Sequence, residues 1–222
     1  MIKKNKFILL TLFFFIFSTY NFNVQKQSFS IVFPIKKILL EDTPSIDTIK
    51  LKAELEFLRN TSLFFLKKKK IIGVTNKYDF ISSIQLKKNY PNTLKIFISE
   101  NIPVVTEIDG KNRYYLTNKG KKINYIELKI YENLPVIFGK HRNFSSFFKE
   151  VEKSKLKTSK IKAFYYFDIG RWDIVLRDER IIKLPPTNYE NILLKINLLL
   201  NDPNFLKYHI FDYRIKDQLI LQ

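Results

Sequence analysis

The run Ile81-Ser82-Ser83-Ile84-Gln85-Leu86-Lys87-Lys88-Asn89-Tyr90, followed by Pro91-Asn92 and Thr93-Leu94-Lys95-Ile96-Phe97-Ile98-Ser99, reads as two strands joined by a tight turn. Proline fixes φ and asparagine tolerates the backbone of a reversal, so the turn has a mechanism. Upstream, Phe33 to Leu40 is a first strand, broken by Glu41-Asp42-Thr43-Pro44-Ser45. Ile46 to Asn60 alternates like a strand, but it is built of Leu, Ala, Lys and Glu. Those are strong helix formers, Ser45 or Asp47 can cap the start, and Lys50/Glu54 and Lys52/Glu56 are i,i+4 pairs, so a helix is expected with Leu51, Leu55 and Leu58 facing a core. A second, shorter helix is expected over Leu66 to Val74, with Lys67 to Lys70 on its exposed side, since a run of lysines is ordinarily a solvated face. The order is strand, helix, helix, strand, strand.

From Pro103 the texture changes to short strands and turns. Strands are expected at Val104 to Ile108, Tyr114 to Leu116 and near Ile123, with turns at Asp109-Gly110 and Asn118-Lys119-Gly120. Ile161 to Phe167, Trp172 to Leu176 and Ile181 to Leu184 continue the pattern, and Asp178-Glu179 marks a reversal. Helices are expected at Phe144 to Lys155 and Tyr189 to Leu200, and a closing strand within Tyr208 to Leu221. A last strand in that position lies at a sheet edge. The fold class is α+β, with a mainly antiparallel second part.

Before all this, Lys3, Lys4 and Lys6 precede an apolar run from Phe7 to Phe17, and no charge follows before Lys26. Positive residues followed by apolar ones direct a chain into or across a membrane. Ser18-Thr19-Tyr20-Asn21-Phe22 offers no small-residue cleavage site of the usual kind. Phe7 to Val24 is on the order of eighteen residues, near the lower limit for one spanning helix. The expected layout is a cytoplasmic tail at 1–6, a transmembrane helix at 7–24, a spacer at 25–32 and an exported remainder in two parts, 33–102 and 103–222.

The chain has 222 residues, 45% of them hydrophobic, and no cysteine, which excludes disulfides, thiol nucleophiles and zinc knuckles. Its formal net charge of +18 is spread along the sequence, so it fits either a taste for polyanions or a general bias in residue usage. His141 and His209 stand alone, without metal-ligand spacing. Ser82-Ser83 and Ser145-Ser146 lack the flanking glycines of a nucleophile elbow, and the five glycines are isolated, so no phosphate loop is indicated. Asp173, Asp178 and Glu179 are the only weak candidates for paired carboxylates, and acidic residues at a hairpin tip are ordinary turn formers. Lysines interleaved with aromatics at Lys87 to Tyr90 and Lys111 to Tyr115 also describe half-buried strands, and export removes nucleic acid as a partner. The two sequons, at Asn60 and Asn143, are what an Asn-rich chain produces by chance. No catalytic, cofactor-binding or metal-binding residues are assigned.

Several local stretches resemble the FtsQ/DivIB family. Tyr90-Pro91-Asn92-Thr93-Leu94, with Glu100-Asn101-Ile102-Pro103-Val104, is similar to the stretch that ends that family's POTRA domain, although Asn101 stands where Arg is usual. Leu134-Pro135-Val136-Ile137-Phe138-Gly139 resembles its Leu-Pro-x-x-x-Gly. Gly170-Arg171-Trp172-Asp173, with Ile181-Ile182-Lys183-Leu184, resembles its Arg-Trp hairpin, and Ile210-Phe211-Asp212-Tyr213-Arg214 the Asp-x-Arg of its last strand. Thr117 or Asn118 takes the place of the Asp that often precedes the turn glycine.

The resemblance implies a membrane-anchored, non-enzymatic scaffold of the divisome in the bacterial inner membrane at the septum. It also implies a POTRA domain, then a β domain whose last strands bind an FtsB/FtsL coiled-coil pair by edge pairing. Arg171, Trp172, Arg214, Ile215 and Leu219 are the partner-binding residues expected on that basis. Arginine suits the role because its planar fork holds a carboxylate through two hydrogen bonds. The alternative for Arg171 and Arg214 is that they tie the sheet together internally. The competing reading is a membrane-anchored envelope enzyme or a cationic protein that binds polyanions.

Overall fold

The computed structural model describes residues 11–15, 31–141 and 143–222. The first unit comprises β1 (Lys37–Leu40), α1 (Thr48–Glu54), α2 (Lys68–Thr75), β2 (Ile81–Asn89) and β3 (Thr93–Glu100). Its sheet is ordered β1-β3-β2, with β3 parallel to β1 and antiparallel to β2. Along β3, Leu94, Ile96 and Ile98 point inward while Phe97 and Ser99 face out, the period-two alternation of a strand with one buried face.

Composition decided α1 correctly over periodicity. Asp47 caps it, its carboxylate accepting from the Lys50 amide at 2.9 Å. The helix is shorter than the expected Ile46 to Asn60. After Glu54 the chain tightens into a 3-10 turn over Glu56–Leu58, and Asn60, at φ 61°, reverses it. Leu51, Leu55 and Leu58 are fully buried all the same. The first strand is also shorter than expected, because Phe33 has a positive φ and Pro34 only bridges to Ser62 before the ladder begins at Lys37.

The second unit holds β4 (Pro103–Asp109), β5 (Asn112–Thr117), β6 (Lys122–Asn124), β7 (Val136–Phe138), α3 (Phe144–Lys153), β8 (Ile161–Phe167), β9 (Arg171–Leu176), β10 (Ile181–Lys183), α4 (Glu190–Asn201), β11 (Ile210–Asp212) and β12 (Ile220–Leu221). They form one sheet in the order β12-β11-β10-β9-β8-β7-β4-β5-β6. β7 runs parallel to both β4 and β8, and β10 parallel to β11, so the sheet is mixed, with antiparallel pairing in the majority. The strand β7 was not anticipated: three residues are too few to show a period. The expected closing strand over Tyr208 to Leu221 is two short strands instead. Asp212 accepts from the Arg214 amide at 3.0 Å, Asp217 has φ 59°, and the chain doubles back so that β12 forms the edge.

One face of this sheet is covered by α3, through Phe144, Phe147, Phe148 and Val151, and by α4, through Leu193, Ile196 and Leu200. The first core, in contrast, draws Tyr115, Ile123 and Tyr131 from the second unit. Phe80 stacks on Tyr131 at 6.0 Å, and the Ser45 and Tyr131 hydroxyls meet at 2.8 Å. Asn101 donates from Nδ2 to the carbonyls of Asp79 (2.8 Å) and Ile81 (3.1 Å), while the Asp79 carboxylate accepts from Asn124. Asn101 thus ties the end of β3 to the start of β2 by neutral hydrogen bonds.

The expected transmembrane helix, Phe7 to Val24, lies outside the described residues apart from the helical Thr11–Phe15, where Leu12, Phe13, Phe14 and Phe15 are exposed. The tail at 1–6 and most of the spacer at 25–32 lie outside them as well. Among the described residues no helix is long and apolar enough to cross a membrane.

Candidate partner-binding edge

Strand register assembles a row of charge across the last strands. Lys183 on β10 is opposite Asp173 on β9 and Asp212 on β11. Two residues along a strand return to the same face, so Arg171 joins one end of the row and Arg214 the other. Arg214 grips Asp212 with both arms of its fork, Nε at 2.9 Å from each oxygen and Nη2 at 2.6 Å. Its hydrogen bonds hold the Asp212 carboxyl below the usual carboxylate range against the opposing effect of burial. Asp173 shifts the other way: burial pushes its carboxyl up, more strongly than the attraction of Arg171, Lys183 and Arg214 pulls it down.

The five expected partner-binding residues divide. Trp172 is 3% exposed, stacked on Phe147 at 4.3 Å and packed against Tyr166, so it is a core residue and offers no surface to a partner. Arg171 has only 15% of its side chain exposed. It forms an ion pair with Asp173 at 3.2 Å and lies 4.0 Å over the Phe167 ring, which fits the internal tie. Arg214 is different, with 44% of its side chain in solvent while still paired. Ile215 is 51% exposed, and Leu219 packs half-buried against the core. Strand register, which the sequence does not display, supplies the connecting members Asp173, Lys183 and Asp212.

Beside this row the free edge begins. Ile210 and Gln222 exchange both backbone hydrogen bonds, at 2.9 and 3.2 Å. In an antiparallel ladder the next residue then turns its groups away, so the N–H and C=O of Leu221 face the open side. Between α4 and the β11–β12 turn runs a groove of 730 Å³, walled by Ile192, Leu199, Tyr213, Ile215 and Leu219, with Arg214 on its rim. Burial pushes the Tyr213 hydroxyl up to about 12, and it has no hydrogen-bond partner among the described residues. An open strand edge, an apolar groove and an exposed arginine suit an extended peptide that carries a carboxylate.

These features define an α+β protein with a three-stranded first unit and a second, mixed sheet that ends in the short edge strand β12. A family model described as "POTRA domain, FtsQ-type" matches residues 33–101. The chain is 23% identical over 205 residues to the cell division protein FtsQ of Rickettsia prowazekii and to that of Rickettsia typhi, covering 90% of this chain and 76% of each relative. The corresponding protein of Rickettsia conorii is 22% identical over the same span. Residues 33–101 thus match a POTRA domain of the FtsQ type, and the chain as a whole is similar to cell division proteins FtsQ.

Proposed function

We propose that this protein is a single-pass, non-enzymatic scaffold of the bacterial division machinery that binds an FtsB/FtsL-like coiled-coil pair by strand addition along β12. The cell-division role is supported by the relatives and by the FtsQ-type POTRA match. The observation that carries the partner reading is the outward-facing backbone of Leu221 beside the exposed Arg214 and Ile215. A partner strand completes the unpaired N–H and C=O groups, and its alternate side chains enter the groove. Arg214 keeps Asp212 neutralised and has donors left for a partner carboxylate. The membrane helix, Phe7 to Val24, holds both units at the division membrane, with residues 1–6 in the cytoplasm and the rest outside.

The test is co-purification of the full-length chain with the FtsB-like protein of the same cell. Ile215→Asp places a charge in the groove at an exposed position, so the fold should persist and capture should fall at least tenfold. Capture equal to that of the unaltered chain, with melting also unchanged, would remove β12 and its groove as the binding edge.

A further inference from the structure

In the first unit, Phe64 and Phe65 stand 58% and 72% exposed, their rings meeting edge to face at 5.0 Å. They are held outward by their backbone. Leu63 is buried and donates its amide to the Phe33 carbonyl at 2.8 Å, the Ser62 hydroxyl bonds the Val32 carbonyl, and Lys88 Nζ donates to the Phe64 and Leu66 carbonyls. Phe33 and Tyr90, also exposed, extend the apolar surface with ring centroids 4.9 Å apart. Immediately after come Lys67, Lys68, Lys69 and Lys70, all exposed and none ion-paired among the described residues. They lie where α2 begins, with no acidic residue in its first turn, so they add to the positive end of the peptide dipole instead of offsetting it.

We propose that Phe64 and Phe65, together with Lys67 to Lys70, form a docking face that seats the POTRA unit on anionic phospholipid headgroups. It rests on the reading of Phe7 to Val24 as a membrane anchor. The seven peptide steps from Val24 to Ile31 span at most about 25 Å, and the chain enters the fold beside Ser62, so the aromatic pair stays within reach of the bilayer. Exposed rings flanked by lysines are the pattern of interfacial binding, in which the rings enter the headgroup boundary and each lysine near an anionic surface favours the bound state about fivefold. Salt weakens the lysine contribution and leaves the apolar one.

The chain is free of cysteine, so one introduced thiol reports position. Full-length Phe65→Cys carrying an environment-sensitive dye is placed in nanodiscs of phosphatidylcholine with or without phosphatidylglycerol. Ile169→Cys, at an exposed position in the β8–β9 turn of the second unit, serves as the reference. Emission from position 65 should shift to the blue and be quenched by nitroxide lipids in the anionic discs, and the shift should be lost when Lys67 to Lys70 are all changed to alanine. The dye at 169 should not move. Water-like emission at 65 in both discs, from chain that co-elutes with them, overturns the docking face alone and would point to a protein ligand there. Failure to co-elute overturns the anchor and the docking face together. A blue shift that persists in the alanine variant overturns the role of the lysines.

Discussion

Asp173 and Asp212 face Lys183 from the two strands beside it, yet their carboxyls shift in opposite directions. Asp212 has two arms of Arg214, whereas Asp173 has an ion pair whose N–H is poorly aimed at its oxygen, and for Asp173 burial wins. The pH dependence follows. Folded Asp212 holds its proton less well than the unfolded chain does, so the stability it contributes is present above the unfolded pKa and is lost as pH falls through the lower folded one. Folded Asp173 holds its proton more tightly, so it adds stability as pH falls through its raised pKa towards the unfolded value. Urea unfolding measured across the acid range should therefore give a shallower acid loss for Asp212→Asn than for the unaltered chain, and a steeper one for Asp173→Asn. Identical slopes in all three would show that the row carries no differential protonation.

Gly139 closes the Leu-Pro-x-x-x-Gly stretch for a steric reason. Its φ is +99°, and a Cβ there would lie 2.2 Å from the Tyr166 carbonyl oxygen, which belongs to the strand paired with β7. Gly139→Ala combines a left-handed backbone with a backbone clash, so a loss of about 2–4 kcal/mol is expected. Chemical denaturation gives the number. A loss under about 0.5 kcal/mol, the range of an ordinary surface change, would mean that β7 and β8 separate easily.

The two neighbours Arg171 and Trp172 should behave unlike Arg214. Trp172→Ala removes the ring stacked on Phe147 and should cost about 3–5 kcal/mol, as large aromatic deletions in cores do. Arg214→Ala leaves Asp212 facing Lys183 and should cost about 1–2 kcal/mol, with its larger effect on capture of the FtsB-like partner. Melting curves recorded beside co-purification separate the two. Equal stability losses would place Arg214 with Trp172 as a structural residue.

The order of elements in the first unit was legible because each carries its own local signal: the Pro91-Asn92 turn, the Asp47 cap and the alternation of β3. Element ends were less so. α1 stops at Glu54 and gives way to a 3-10 turn, and Asn60 then reverses the chain with a left-handed backbone, its amide bonded to the Ile35 carbonyl; nothing in the Leu, Lys and Glu content of that stretch announces either. The same holds for β7, which is a strand only because β4 and β8 lie on both sides of it. Of the proposed binding edge, the types Arg214, Ile215 and Leu219 were legible, but their grouping depended on the turn after Asp212 that splits the expected last strand in two. Trp172 was misplaced because motif position says nothing about which way a strand residue points. Its partner ring on α3 is distant in sequence.

Asn101 gives the sharpest test of how the two units are joined. Its amide nitrogen donates to two carbonyls, those of Asp79 and Ile81, at the end of β3 where the chain passes into β4. Asn101→Ala takes this donor from the Ile81 carbonyl and leaves the Asp79 carbonyl with Lys121 Nζ at 3.2 Å, and it should cost about 1–3 kcal/mol. Asn101→Asp is nearly the same size but has no donor when ionised, so its oxygens would face carbonyl oxygens and the Asp79 carboxylate near Asn124. The aspartate should therefore be the less stable of the two at neutral pH, and it should recover part of the difference as pH falls and the carboxyl regains a proton to donate. Urea midpoints for both variants at neutral and acidic pH decide it. An aspartate as stable as the alanine at neutral pH would mean that water, not Asn101, satisfies the junction carbonyls.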